Sequence, residues 1–275
     1  MKKLLSYAVL VVLLGCMVFF GLKAHQKALL HEEMTIELVT YHDAAQQFSL
    51  QLESIAKGFL GDLYIDERRI ALDKVREAQK QAKEAAVRYT IYCMVTLLFV
   101  LLSYFVVSLR TFTLFGALAA MITLIFGLIT PILMVTIHKE VEYLGDIVLS
   151  FESKGVIGSV EKLFNGGDVL VALVILLFSV VTPTLKIMAL LFVSFFIKSD
   201  FAHRIVAFFK MIGKWSMVDV FVVAVFLVYL TANQGDVSRA EVEVGLYFFL
   251  AYVIVSMLVS LSADKMLKQK QSDFA

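Results

Sequence analysis

The chain has 275 residues, 60% of them apolar and 18% charged, with a mean hydropathy of +0.85; soluble domains sit near half apolar and a quarter charged. A water-soluble fold has too little core volume to hide this much apolar surface, so the bilayer is part of the solvent. The 25 Lys+Arg against 24 Asp+Glu leave a formal charge of +1, which provides no field for nucleic acid, and Cys16 and Cys93, both in apolar runs, make neither a disulfide framework nor a zinc site.

A membrane-crossing helix needs roughly 20 mostly apolar residues, at about 1.5 Å each, to span a core about 30 Å thick. Six stretches qualify: residues 4–22, 90–109, 114–137, 169–197, 215–233 and 244–262. None alternates as barrel strands do, so the predicted fold class is an all-α integral membrane protein with about six transmembrane helices. Residues 1–22 form the first anchor. A signal-peptide reading competes, because Lys2 and Lys3 precede the apolar run and Leu13-Leu14-Gly15-Cys16 resembles a loose lipoprotein cleavage box. The run continues through Met17, Val18, Phe19 and Phe20 without a clean cleavage site, which favours an uncleaved anchor.

Residues 23–89 carry Tyr41, Ala45, Phe48, Leu52, Ile55 and Phe59 at spacings of three and four, one apolar stripe on a helix. Residues 57–62 supply a turn, and 66–88 return as a charged, Ala-rich helix with i,i+4 ion pairs. The expectation is a helical hairpin outside the membrane, standing on the first two spans. Its stripe, Phe48, Leu52, Ile55 and Phe59 above all, has three readings: internal packing, docking of a periplasmic partner, or a sensing surface.

The second span occupies 90–109. Pro131 in the third span predicts a kink, and residues 138–168 read as an amphipathic segment at the interface. In the fourth span Lys186 follows Pro183 by three residues inside a long apolar run. A Lys deep in hydrocarbon costs about 2.5–3.5 kcal/mol on insertion scales. It therefore faces a cavity, snorkels towards headgroups, or pairs with Asp219 one turn inside the fifth span, where Trp215 marks the interfacial belt. The short turn 234–243 leads to the sixth span, and 266–275 are a cytoplasmic tail. Lys and Arg near the span ends collect on the face that holds both termini, which predicts termini in the cytoplasm.

No His-Glu-x-x-His, phosphate-cradling glycine loop or Gly-x-Ser-x-Gly occurs, so no enzyme, catalytic residue, cofactor or metal is expected. His25, His31 and His42 lack metal-site spacing and read as solvated helix positions.

Ile129-Thr130-Pro131, the 151–167 segment, Leu177 to Lys186 with its Thr182-Pro183-Thr184, and Gly213-Lys214-Trp215-Ser216-Met217-Val218-Asp219-Val220-Phe221 together resemble the paraquat-inducible protein A family of bacterial inner-membrane proteins. The resemblance covers about 114–262, within a module drawn at 110–265. It implies a tetraspan-like four-helix module, in which Pro131, Pro183, Lys186, Trp215 and Asp219 occupy the family pattern. It also implies work beside periplasmic MCE-domain proteins that move phospholipid or other lipid between the two membranes. Many members carry zinc-ribbon cysteines and two tandem modules; this chain has neither. The implied function is an inner-membrane subunit of a lipid-trafficking system. The alternative is a stress sensor or accessory scaffold that uses the outside hairpin.

Overall fold

In the computed structural model, which describes residues 2–53, 61–141, 145–195 and 238–272, α1 (Lys2–Glu53) and α2 (Gly61–Leu102) are each one unbroken helix. No Pro or Gly interrupts either between Leu22 and Glu53 or between Asp62 and Leu102. Its 52 residues make α1 about 78 Å long at 1.5 Å per residue, over twice the apolar thickness of a bilayer. Membrane anchor and outside helix are therefore a single rod. From Met17 onward the buried positions of α1 are Met17, Gly21, Ala24, Ala28, His31, Thr35 and Leu38, the alternating four-and-three spacing of a coiled-coil seam. Facing them on α2 are Ala82, Ala86, Cys93 and Val100. The Cys93 thiol donates to the Met17 carbonyl at 3.5 Å, and Gln79 Nε2 donates to Thr35 Oγ1 at 2.7 Å. Of the predicted turn, Gly61 and Asp62 already belong to α2, and 57–60 lie outside the described residues.

A 3-10 turn (Ser103–Phe105) leads to α3 (Leu109–Ile129), capped at its start by the Ser108 hydroxyl, which accepts from the Thr111 N–H at 3.4 Å. The helix ends at Ile129, not at 137 as the apolar run predicts. The cause is Pro131: its ring forces the preceding residue out of the helical region, and Thr130 sits at φ −89°, ψ 144°. Pro131 thus terminates the span and does not kink it.

Beyond Pro131 the chain departs from the expected interfacial segment and turns to strand. β1 (Leu133–Val141) and β2 (Gly145–Lys154) form an antiparallel pair with an irregularity between Ile137 and His138. β3 (Ser238–Val242), in the stretch expected to be a bare turn, pairs with the first half of β1, so the strand order is β2-β1-β3. The all-α architecture holds for the membrane-spanning body, and this small sheet is added at the end to which α1 and α2 project. α4 (Val156–Asn165) is the amphipathic helix, with Val156 and Ser159 buried and Ile157 and Phe164 exposed.

The fourth span is α5 (Val169–Leu176), a five-residue π-helical turn (Leu177–Val181) and α6 (Thr182–Phe195). Pro183 lacks an N–H, and the wider turn before it absorbs the missing bond. The Thr182 and Thr184 hydroxyls donate to the carbonyls of Leu177 and Val180 at 2.9 and 2.7 Å. α7 (Val244–Ser272) is the last helix and extends beyond the predicted span. Five helical segments among the described residues are long and apolar enough to cross a membrane; the predicted 215–233 span lies outside the described residues.

α3 is the hub, packed against α7, α6 and α1. Lipid tails give helices no hydrophobic reason to associate, so close packing of small residues must supply it. Along α3, Gly116, Ala119, Ala120, Thr123 and Gly127 are buried. A Cβ on Gly127 would meet the Phe249 backbone N at 2.8 Å, and one on Gly116 would meet Val259 Cγ2 at 2.6 Å. At one end of the bundle Tyr7 Oη bonds Thr111 Oγ1 at 2.9 Å, and Arg110 Nε donates to the Ser194 carbonyl at 3.1 Å, in the last described turn of α6. At the other, His25 Nδ1 meets Thr130 Oγ1 at 3.2 Å and the Gly245 N–H donates to the Pro131 carbonyl at 2.9 Å.

Candidate functional site

Pro183 is buried at the start of α6, and one turn later comes Lys186. Its ammonium donates to Ser256 Oγ of α7 at 3.2 Å, while that hydroxyl donates to the Val253 carbonyl at 3.0 Å. Ser256 is fully buried and lies about 18 Å along α7 from Val244 at 1.5 Å per residue. The charge is thus held inside the apolar span, half-buried, where an anionic group is less screened than in water. Ser256 is a partner that sequence reasoning missed, since one more Ser in a span carries no signal of its own.

On the same bent helix, Leu176 and Val180 join Ile157, Val160 and Phe164 of α4 around an apolar groove of about 380 Å³, with exposed Glu161 and Asn165 beside them. The amphipathic α4 folds back on α5 at Gly167, whose φ of 92° is a backbone conformation that a side chain would resist.

A second polar cluster lies where the hairpin meets the sheet. His31 Nδ1 of α1 is 3.6 Å from Glu243 Oε1, with both side chains only 4% exposed. Lys83 of α2 forms an ion pair with Glu241 of β3. Burial, aided by the carboxylates of Glu241 and Glu32, pushes the Glu243 carboxyl up to about 7 against the opposing pull of Lys83. This corrects the reading of His31 as a solvated position. The heptad spacing from Met17 to Leu38 puts residue 31 on the seam, and that spacing is present in the sequence. His42 has no described side chain.

Of the other predicted residues, Pro131 lies at the sheet end of α3, about a helix length from Arg110, and is not brought to Lys186. Phe48 and Leu52 fall in the last two turns of α1; Ile55, Phe59, Trp215 and Asp219 lie outside the described residues. Among the described residues, no group of three or more His, Cys, Asp or Glu is placed to hold a metal ion.

Residues 110–271, from the start of α3 through nearly all of α7, match the paraquat-inducible protein A family. Over 125 residues the chain is 30% identical to the intermembrane transport protein PqiA of Escherichia coli, in two strains, and of Shigella flexneri. Each overlap takes in 43% of this chain and 30% of the relative's length, so the chain matches under a third of those proteins. No solved structure matches it. α1 and α2 lie outside the matched region.

Proposed function

This chain belongs to the paraquat-inducible protein A family, and from that premise we propose that it is a bacterial inner-membrane subunit of a lipid-trafficking system, which holds lipid in its four-span module (110–265) and hands it to or from a periplasmic MCE-type partner. The observation that carries the reading is Lys186: an ammonium on Ser256 inside the apolar span, on a helix that widens at Leu177–Val181 and borders an apolar groove. A phospholipid needs one anion-binding group and one dry slot for its tails. The relatives' name, intermembrane transport protein, fits the same chemistry, which moves lipid without altering a bond, so no catalytic group or cofactor is required.

In this reading Asp219 and Trp215 of the fifth span complete the Lys186 site, and Pro131 and Pro183 end or open the helices around it. The 1–22 anchor and the 90–109 span carry the 23–89 hairpin, whose Phe48, Leu52, Ile55 and Phe59 dock the partner. Both termini, including the 266–275 tail, lie in the cytoplasm.

The test is purification from native membranes after labelling with a photoactivatable phospholipid. Wild-type protein should carry crosslinked lipid, and Lys186→Met should carry much less at equal membrane abundance. Equal lipid on both proteins would remove Lys186 as the lipid contact.

A further inference from the structure

We propose that His31 and Glu243 form a proton-binding site that latches the outer hairpin to the four-span module: docking of α1 and α2 on β3 and the start of α7 keeps a proton on Glu243 near neutral pH, and loss of that proton loosens the junction. The proposal is independent of the lipid reading.

Three parts of the chain remote in sequence meet at this point: α1 at residue 31, α2 at residue 83, and the β3–α7 corner at 241–243. Beneath the pair lies a dry plug of Ala28, Ala86 and Val244, and above it the Lys83–Glu241 ion pair. His31 Nδ1 and Glu243 Oε1 are buried, 3.6 Å apart, with no hydrogen bond to either atom among the described residues. Polar groups kept this dry are costly to charge. A single proton makes the pair neutral overall, whichever ring nitrogen or carboxyl oxygen holds it; without that proton the site carries a net negative charge. The charged groups that bear on Glu243 from the elements around it are Glu32 on α1, Lys83 on α2 and Glu241 on β3, two carboxylates against one ammonium, so a carboxylate on Glu243 worsens an existing imbalance. Opening the corner would return Glu243 to water. The corner is also the splice between sheet and span, because the Glu243 and Gly245 N–H groups donate to the carbonyls of Ile132 and Pro131, each at 2.9 Å.

Linkage gives the sign. The docked carboxyl titrates at about 7 against an ordinary 4.5, so the docked state keeps a proton that the open state gives up. The Glu243 contribution is complete below 4.5 and is lost as pH rises through 7. His31, which burial and Lys83 lower from 6.5 to about 4, contributes above 6.5 and loses that contribution as pH falls through 4. Docking is therefore strongest between about 4.5 and 6.5 and weakens as pH rises through 7.

The full chain in lipid nanodiscs is titrated while the infrared carboxylic-acid stretch and the amide hydrogen exchange of residues 241–246 are monitored, the exchange being corrected for its intrinsic pH dependence. Wild-type protein should lose one acid band near neutrality as exchange rises with the same midpoint. Glu243→Gln, a neutral stand-in for the protonated acid, should lack the band and keep slow exchange as pH rises through neutrality. Lys83→Met removes the group that favours the carboxylate, so its midpoint should move up; this variant serves if Glu243→Gln does not assemble. A Glu243 band that titrates in the ordinary carboxylate range, or identical exchange profiles for wild-type and Glu243→Gln, would overturn the latch.

Discussion

An ammonium in hydrocarbon, at about 2.5–3.5 kcal/mol on insertion scales, stays there only for what it gains from partners. Ser256 supplies a neutral acceptor at 3.2 Å, and Ser256→Ala should cost about 0.5–1.5 kcal/mol, the net value of one hydrogen bond. The proposed pairing with Asp219 is a different order of interaction. Breaking a buried ion pair by removing one partner typically costs about 3–5 kcal/mol, because the other charge is stranded. Lys186→Met and Asp219→Asn should each lower lipid loading and membrane abundance, and the double change should cost less than their sum. The measurement is a four-corner cycle with protein level checked at each corner; strict additivity would remove the pair. Lys186 and Pro183 were visible in the sequence because a charge and an imino acid stand out in an apolar run. His31 was not, since a His on a polar-looking helix invites a solvated reading until the seam is traced from Met17 to Leu38.

Helices in lipid are held by how closely they approach, and that is decided by single missing side chains. Gly127→Ala puts a Cβ 2.8 Å from the Phe249 backbone N. A backbone cannot swing aside as a flexible side chain can, so α3 and α7 must separate, at a cost of about 1–3 kcal/mol typical of overpacking. Gly15 has nothing within 4 Å of its Cβ position, and Gly15→Ala should be neutral or stabilising by up to about 1 kcal/mol from helix propensity. Thermal retention of the monodisperse peak in detergent separates the two; a Gly127→Ala protein as stable as wild-type would show that the seam tolerates a methyl. The helices were legible from length and composition. The sheet was not: Leu133, Met134, Val135 and Ile137 continue the apolar run of α3, and only Pro131 signals that the chain has left the helix. The alternation of apolar and charged residues over 140–149 is a strand period, but an amphipathic segment lying flat on the membrane between two spans also mixes apolar and charged positions. β3 pairs with β1 across about a hundred residues, a contact that no local pattern encodes.

At the scale of the whole molecule, the two ends of the bundle differ in charge, and that difference sets orientation. The end that carries Arg110 has Lys265, whose ammonium donates to Tyr104 Oη at 3.3 Å, and Lys268; the opposite end mixes Lys83 with Glu241 and Glu243. Cationic ends stay in the cytoplasm, whereas long, charge-balanced segments translocate, so the hairpin and sheet should face the periplasm. Single cysteines in a background lacking Cys16 and Cys93 test this, and the choice of positions matters. Arg110 holds carbonyls at the end of α6, so replacing it would disturb the bundle. Lys268 is 65% exposed and pairs locally with Asp264 at 3.0 Å, a surface pair worth about 0–1 kcal/mol, so Lys268→Cys leaves the fold intact. Gln51 on the distal part of α1 and Lys154 at the end of β2 report the other side. Cys93 bonds the Met17 carbonyl from a buried seam, so Cys93→Ser, which keeps a donor, is the better background change. In intact cells an impermeant maleimide should modify positions 51 and 154 and reach 268 only after permeabilisation. Modification of 268 from outside, with 51 and 154 protected, would invert the molecule and place the hairpin, the stripe proposed to dock a partner and the Glu243 corner in the cytoplasm, where no periplasmic partner could meet them.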